Sequence, residues 1–362
     1  MELNWLELNG YRCYANLHFE PAPGVNVLVG NNGTGKTSVL EAIAYLGLLR
    51  SFRGIPDESI VSTEAESAVL RGEFSVPSGS VRVEVEIAQD GRRAILLNGK
   101  RPKRNRDVLA QVPVVVFHPD DLDVVKRGPS LRRGYLDDLA AQLRPQAAAD
   151  QAEYDRALRQ RNALLRQEGR SADRATLDAW DARVTEAGAR VFVHRLRVLD
   201  VLDEHLGEAY RLVGASGRLA WEYISNWGAA AADDLAAAEA KLSHALAARR
   251  DRDLDQRTTT TGPHRDDPML VVDGRPARTM ASQGEQRTIA VSLRVGAYRV
   301  LAQERPTLPI LLLDDVFSEL DPRRARGVLD LFGGGQVFVT TARDDDVPVD
   351  GRRWVVEGGV VR

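Results

Sequence analysis

Few short stretches leave a chain less choice of fold than Gly30-Asn31-Asn32-Gly33-Thr34-Gly35-Lys36-Thr37, which directly follows the apolar run Val25-Asn26-Val27-Leu28-Val29. Gly-x-x-x-x-Gly-Lys-Thr between a buried strand and a helix is a phosphate-cradling loop. Its glycines let successive backbone N–H groups turn toward one anion, and the N-terminus of the following helix adds its dipole. A strand over Val25–Val29 and a helix over about Ser38–Leu49 are therefore expected, in an α/β domain with a mixed sheet. Lys36 is placed to reach the β- and γ-phosphates of ATP, the Thr37 hydroxyl to ligate Mg²⁺, and Asn31, Asn32, Thr34 and Ser38 to line the cradle. A glycine-rich turn with an incidental lysine also matches, so a second element is needed.

Leu311-Leu312-Leu313-Asp314-Asp315 supplies it. A carboxylate at the end of a strand beside the loop holds Mg²⁺, which suits Asp314, and Asp315 stands next to it to polarise the attacking water. The plainer alternative, that the two acids cap the next helix, is weakened by Pro322, a better mark of where that helix begins. Between loop and acids lies Ser282-Gln283-Gly284-Glu285-Gln286, ahead of an amphipathic helix with Ile289, Leu293, Val300 and Leu301 on its apolar face. A helix N-terminus is an anion site, although Ser282 also suits an ordinary N-cap.

Three segments are expected along the chain. Residues 1–128 hold the P-loop and an antiparallel β lobe, shown by the alternation Val81-Arg82-Val83-Glu84-Val85-Glu86-Ile87 and the turn Asn98-Gly99. Residues 129–255 read as a helical lobe: apolar residues recur at helical spacing at Leu177, Trp180, Val184, Ala187, Val191, Val198, Leu202, Leu206 and Ala209, and the Ala-rich 229–249 follows. Residues 256–362 return to α/β, with Ile310-Leu311-Leu312-Leu313 and Val337-Phe338-Val339 as buried parallel strands. No helical stretch is long enough for an extended coiled-coil arm.

The order Ser-x-Gly-x-Gln, apolar run plus Asp-Asp, then Ser318-Glu319-Leu320-Asp321 resembles the signature, Walker B and D-loop of ABC-type ATPases. The resemblance sharpens to the RecF family, short SMC-like proteins of bacterial recombinational repair. It rests on Asn9-Gly10-Tyr11-Arg12, Phe117-His118-Pro119-Asp120-Asp121-Leu122 with Gly128-Pro129 and Arg132-Arg133 behind it, Gly262-Pro263-His264-Arg265-Asp266-Asp267, and Ser282-Gln283-Gly284-Glu285-Gln286-Arg287-Thr288. It implies an ABC-ATPase head whose composite site closes in an ATP-dependent homodimer, Ser282 to Gln286 of one copy meeting the γ-phosphate on the other's P-loop. It further implies binding to DNA, double-stranded or at gapped and single-stranded junctions, and action with RecR and RecO to direct RecA onto gapped DNA. Departures from the broad ABC pattern, no Gln at the end of the Val112–Asp120 segment, Thr341 where a switch His is usual and the shorter arm of Asp315 where many relatives carry Glu, point to slow hydrolysis; stimulation by DNA is expected beside it.

Composition excludes other classes. A charged fraction of 28% and no apolar run approaching the roughly 20 residues of a membrane span argue against membrane insertion. The first residues lack a basic segment before an apolar one, so no secretory leader is expected, and a single cysteine, Cys13, suits the cytoplasm. Net charge is -3, so DNA contact needs a local patch, for which Lys100, Arg101, Lys103, Arg104 and Arg106 are the candidates, with Arg92 and Arg93 just before them. A solvated charge run is the simpler alternative, since no aromatic residues are interleaved for base stacking. A transporter's nucleotide-binding subunit shares the three motifs but keeps P-loop and Walker B closer together than Gly30 and Asp314. An ATP-binding switch with negligible hydrolysis stays open.

Overall fold

The strands separate by pattern. Strict alternation places Ser67–Val76 and Gly79–Ala88 in an antiparallel sheet, while the unbroken apolar runs Val25–Val29, Val114–Phe117, Ile310–Asp314 and Val337–Thr341 form a parallel one, covered on both faces. The computed structural model describes residues 1–109, 111–318, 334–347 and 350–362. These form two compact units, one of Met1–Asp121, Ala209–Ala215 and Ala290–Arg362, the other of Leu122–Glu208 and Ser216–Ile289.

In the first unit, the antiparallel sheet has the order Tyr14–Phe19, Glu2–Tyr11, Ser67–Val76, Gly79–Ala88, Arg93–Leu97. Asn98 and Gly99 both adopt positive φ, 51° and 75°, as the expected type I′ turn demands. The other sheet runs Val360–Val361, Arg352–Glu357, Val25–Val29, Val337–Thr341, Ile310–Asp314, Val114–Phe117, and every pairing is parallel except the Arg352–Glu357/Val360–Val361 hairpin. The helix Lys36–Leu48 touches strands of both sheets and is buried at every position from Val39 to Gly47. This helix is enclosed on all sides at the centre of the core, packed among Leu3, Leu6, Phe74, Leu312 and Phe338, and its buried acid Glu41 is paired with Arg12. At Gly47 a side chain has no room, because a Cβ there would lie 2.6 Å from the Val112 carbonyl oxygen.

The second unit carries the helices Pro129–Leu143, Pro145–Glu168 and Leu235–Ala248, with most of the 39-residue helix Arg174–Leu212. Of the apolar positions read from the sequence in that long helix, Leu177, Val184, Ala187, Val191, Val198, Leu202 and Leu206 are buried, and Trp180 is half-buried. The unit also holds a three-stranded antiparallel sheet, Arg275–Pro276, Asp267–Val272, Leu219–Ile224, that the pattern does not announce. Pairing of Leu219–Ile224 with Asp267–Val272 brings residues as far as Ile289 into this unit. The units therefore divide the chain differently from the boundaries 128/129 and 255/256, and the Ser282 segment falls with the helices. Among the described residues no helix is long and apolar enough to cross a membrane. Glu319, Leu320 and Asp321 of the D-loop, and Pro322, lie outside the described residues.

Candidate nucleotide site

The loop leaves the strand Val25–Val29 in the middle of the parallel sheet and returns as the helix starting at Lys36. Its glycines are there for distinct reasons. A Cβ on Gly30 would sit 2.4 Å from the Val356 carbonyl oxygen, and Gly35, at φ 107°, would drive one to 2.7 Å from both the Cys13 Sγ and the Tyr14 hydroxyl. Tyr14 itself donates its hydroxyl to the Gly35 carbonyl, 3.1 Å, pinning the loop's exit. Thr34 donates to the Asn31 carbonyl at 2.9 Å, while Asn31, Asn32 and Gly33 are exposed. The Lys36 side chain is buried, and Nζ donates to the carbonyls of Gly30, 2.7 Å, and Asn31, 2.8 Å. Burial lowers its pKa, and the carboxylates of Asp315 and Asp314 act in the opposite sense. The Ser38 side chain hydrogen-bonds the Cys13 thiol.

The acid pair ends the strand Ile310–Asp314, which is separated from the loop's strand by Val337–Thr341 alone. Asp314 is buried, and its Oδ1 accepts from the Thr37 hydroxyl at 2.8 Å and from the Thr340 hydroxyl at 2.7 Å. Asp315 is exposed, has φ 52°, and donates its backbone N–H to the Thr340 hydroxyl at 3.0 Å. Thr340 is a residue that the sequence did not mark. Thr341, standing at the usual switch His position, is buried and donates its hydroxyl to the Arg343 carbonyl at 2.8 Å, so it closes its own turn. Where the Q-loop Gln is missing, His118 takes the strand end, and its backbone N–H and ring both bond Asp121 at 3.0 Å. Arg294 pairs with the same carboxylate. Burial opposes ionisation of Asp121, yet Arg294 and His118 hold it well below the usual carboxylate range.

In the other unit, Ser282 and Glu285 form a reciprocal cap: the Ser282 N–H donates to the Glu285 carboxylate, 2.8 Å, and the Glu285 N–H to the Ser282 hydroxyl, 3.3 Å. The plainer N-cap reading is thus realised, with the Glu285 N–H already partnered within the chain. Ser282, Gln283, Gly284 and Glu285 are exposed, whereas Gln286 is buried and its side-chain amide donates to the Arg278 carbonyl at 3.4 Å.

On the β lobe, Lys100, Arg101, Lys103 and Arg104 are all exposed, whereas Arg106 is half-buried. The two arginines before the turn do not join them as free charge. Arg92 pairs with Asp90 at 2.6 Å, and Arg93 donates to the Leu49 carbonyl at 2.5 Å and reaches Asp57 at 3.5 Å.

A P-loop in mid-sheet, an acid pair two strands away, and an antiparallel sheet packed on the loop's helix define an SMC-like ATPase head. The Smc head bound to the C-winged helix domain of ScpA shares that fold, at TM-score 0.55 and 17% identity over 100% of this chain and 96% of that one. The family model described as RecF/RecN/SMC N terminal domain matches residues 2–349. The DNA replication and repair protein RecF of Acidothermus cellulolyticus is 42% identical over 98% of each chain. The recombination mediator protein RecF, solved as RecF-ATP in the RecFOR pathway, superposes at TM-score 0.93 with 29% identity, covering 99% of this chain and 96% of that one. This chain belongs to the RecF family.

Proposed function

We propose that the chain is an ATP-dependent DNA-binding protein of recombinational repair and replication, which dimerises on ATP and hydrolyses it slowly. The observation that carries this is the 2.8 Å bond between Thr37 and Asp314, residues 277 apart in sequence, beside the buried Lys36 ammonium. A hydroxyl and a carboxylate side by side form a hard oxygen donor pair that fits Mg²⁺, an ion commonly held by one or two protein groups plus the substrate's phosphates. Thr37 and Asp314 would hold the ion, which supplies charge neutralisation between the β- and γ-phosphates. Lys36 binds those phosphates, the backbone N–H groups of residues 33–37 orient them, and Asp315 polarises the attacking water. A short Asp arm and Thr341 engaged in its own turn both support slow turnover.

The exposed Ser282-Gln283-Gly284-Glu285 helix start serves the other copy's γ-phosphate, with the Glu285 carboxylate giving way when the anion arrives. Lys100, Arg101, Lys103 and Arg104 support contact with the DNA backbone rather than its bases. The RecFOR pathway in which the solved relative is placed supports action with RecR and RecO, and the family resemblance extends this reading to directing RecA onto gapped DNA. Full-length membership in the RecF family removes the transporter reading. Analytical sedimentation with ATP, ADP or no nucleotide, with and without DNA, tests the proposal. A dimer with ATP alone, further stabilised by DNA, is expected, and a mass independent of nucleotide rejects the closing site.

A further inference from the structure

The strand Val337–Thr341 lies between the strand that feeds the P-loop and the strand that ends in the acid pair. Register sets Thr340 directly beside Asp314, and Thr341 beside Val29. Successive side chains on a strand point to opposite faces, so the two threonines have different surroundings. Thr341 serves the turn at Arg343, as described. Thr340 is fully enclosed, 1% exposed, and its one hydroxyl does two things at once. It donates to Asp314 Oδ1 at 2.7 Å and accepts from the Asp315 backbone N–H at 3.0 Å.

We infer that Thr340 is a positioning residue for the hydrolytic site, tying the metal-holding carboxylate of Asp314 to the backbone that aims Asp315. The inference rests on the ATPase reading above and deepens it, naming the residue through which the strand Val337–Thr341 serves the reaction. A hydroxyl has one proton, so donating it to Asp314 fixes which lone pair faces the Asp315 N–H. Both groups are therefore set by a single torsion. Thr37 and Thr340 converge on the same oxygen, Oδ1, and neither bond uses Oδ2. The carboxylate is held in one rotation about its Cβ–Cγ bond, with Oδ2 directed by the two bonds its neighbour makes. Asp315 has a φ of 52°, in the left-handed region that asparagine and aspartate tolerate better than other residues with a Cβ but that stays sparsely populated, so a bond fixing its N–H helps keep it there. Withdrawing the hydroxyl removes one hold on the Asp315 peptide and one of the two hydroxyls that fix the Asp314 carboxylate.

The test uses the full-length protein with Thr340→Val, Thr340→Ala and Thr340→Ser. A fluorescent ATP analogue is titrated first in EDTA and then at increasing Mg²⁺, and single-turnover hydrolysis is measured separately. Outer partners of metal ligands commonly set affinity by 10- to 100-fold, so the Mg²⁺ concentration for half-maximal tightening of ATP binding is expected to rise about 10-fold in Val and Ala. Affinity in EDTA is expected to stay within about 2-fold of wild type, since Lys36 and the loop are untouched, and Thr340→Ser is expected to restore the wild-type Mg²⁺ response. The single-turnover rate should fall in Val and Ala by at least the same factor and return in Ser. A wild-type Mg²⁺ response in either hydroxyl-free variant overturns the inference. So does a loss of the EDTA-state affinity equal to the loss with Mg²⁺, or a failure of Ser to rescue, since either makes the role one of general packing. Should Val fail to fold, Ala and Ser decide the matter alone. If wild type itself shows no Mg²⁺-dependent ATP binding, the ATPase reading fails instead, a result distinct from any of these.

Discussion

Replacing Lys36 by Met removes the one point charge aimed into the P-loop while keeping the length of the side chain. In the structure Nζ spends two hydrogen bonds on the carbonyls of Gly30 and Asn31, 2.7 and 2.8 Å away. A nucleotide exchanges those neutral acceptors for phosphate oxygens. The ammonium is charged in both states, so its carbonyl bonds are already charge-assisted, and the gain is that of about one further bond between charged partners, about 1.5–3 kcal/mol. The side chain is only 8% exposed, so water does little to replace it. At 1.4 kcal/mol per factor of ten, Lys36→Met is expected to weaken ATP binding by about 10- to 140-fold. Because burial already lowers the lysine's pKa, the folded protein gains little from the charge when no anion is present, and the thermal melt without nucleotide should change little. Equilibrium titration with a fluorescent ATP analogue, run beside that melt, gives both numbers. A loss below about 3-fold with an unchanged melt would falsify the claim that this lysine carries the phosphate contact.

Further outcomes are expected. Asp315→Asn should leave ATP binding and the ATP dimer intact while abolishing hydrolysis, read as a dimer that persists in sedimentation after wild type has decayed; normal turnover would show that the two acids' roles are misassigned. Ser282→Arg should bind ATP with wild-type affinity yet stay monomeric in ATP, and dimerisation of this variant would sink the composite site. Neutralising Lys100, Arg101, Lys103 and Arg104 together should weaken DNA binding alike for all sequences and reduce the slope of log affinity against log salt by up to about 3.6 on duplex DNA, with an unaltered slope marking the patch as merely solvated. In the second unit, burial pushes His264 down to about 4 and Asp266 up to about 6. Neutral His264 therefore loses stability for the fold as pH falls from about 6.5 to about 4, whereas Asp266 adds stability as pH falls from about 6 to about 4, each by up to about 3 kcal/mol. Urea melts between pH 7 and 4.5 should show Asp266→Asn steepening the acid loss and His264→Gln flattening or reversing it; parallel profiles for both variants would refute the assignment.

Much of the site is legible in the chain because its geometry is local. Gly30, Gly33 and Gly35 announce a loop that only glycine can trace, the Val25–Val29 run and the helix behind the loop fix its direction, and Asn98-Gly99 states its own turn type. Asp314 and Asp315 are recognisable for the same reason, since two acids closing a fully apolar strand sit where the buried sheet first meets water and a cation can reach them. What the tertiary structure alone decided depends on which strands become neighbours. Thr340 gains its role from register with Asp314 across a parallel pairing, and nothing in Val339-Thr340-Thr341 distinguishes the two threonines until that register is set. Leu219–Ile224 meets Asp267–Val272 across a long intervening helical segment, which draws the Ser282 region into the helical unit. His118 finds Asp121 locally, but Arg294 joins them from a distant helix, and Arg93 is taken out of the basic patch by the Leu49 carbonyl and Asp57. Backbone conformation and the alternation of buried faces follow from neighbours in sequence, whereas the partner of a buried hydroxyl or charge is whichever group the packing brings within about 3 Å, and sequence spacing does not encode that.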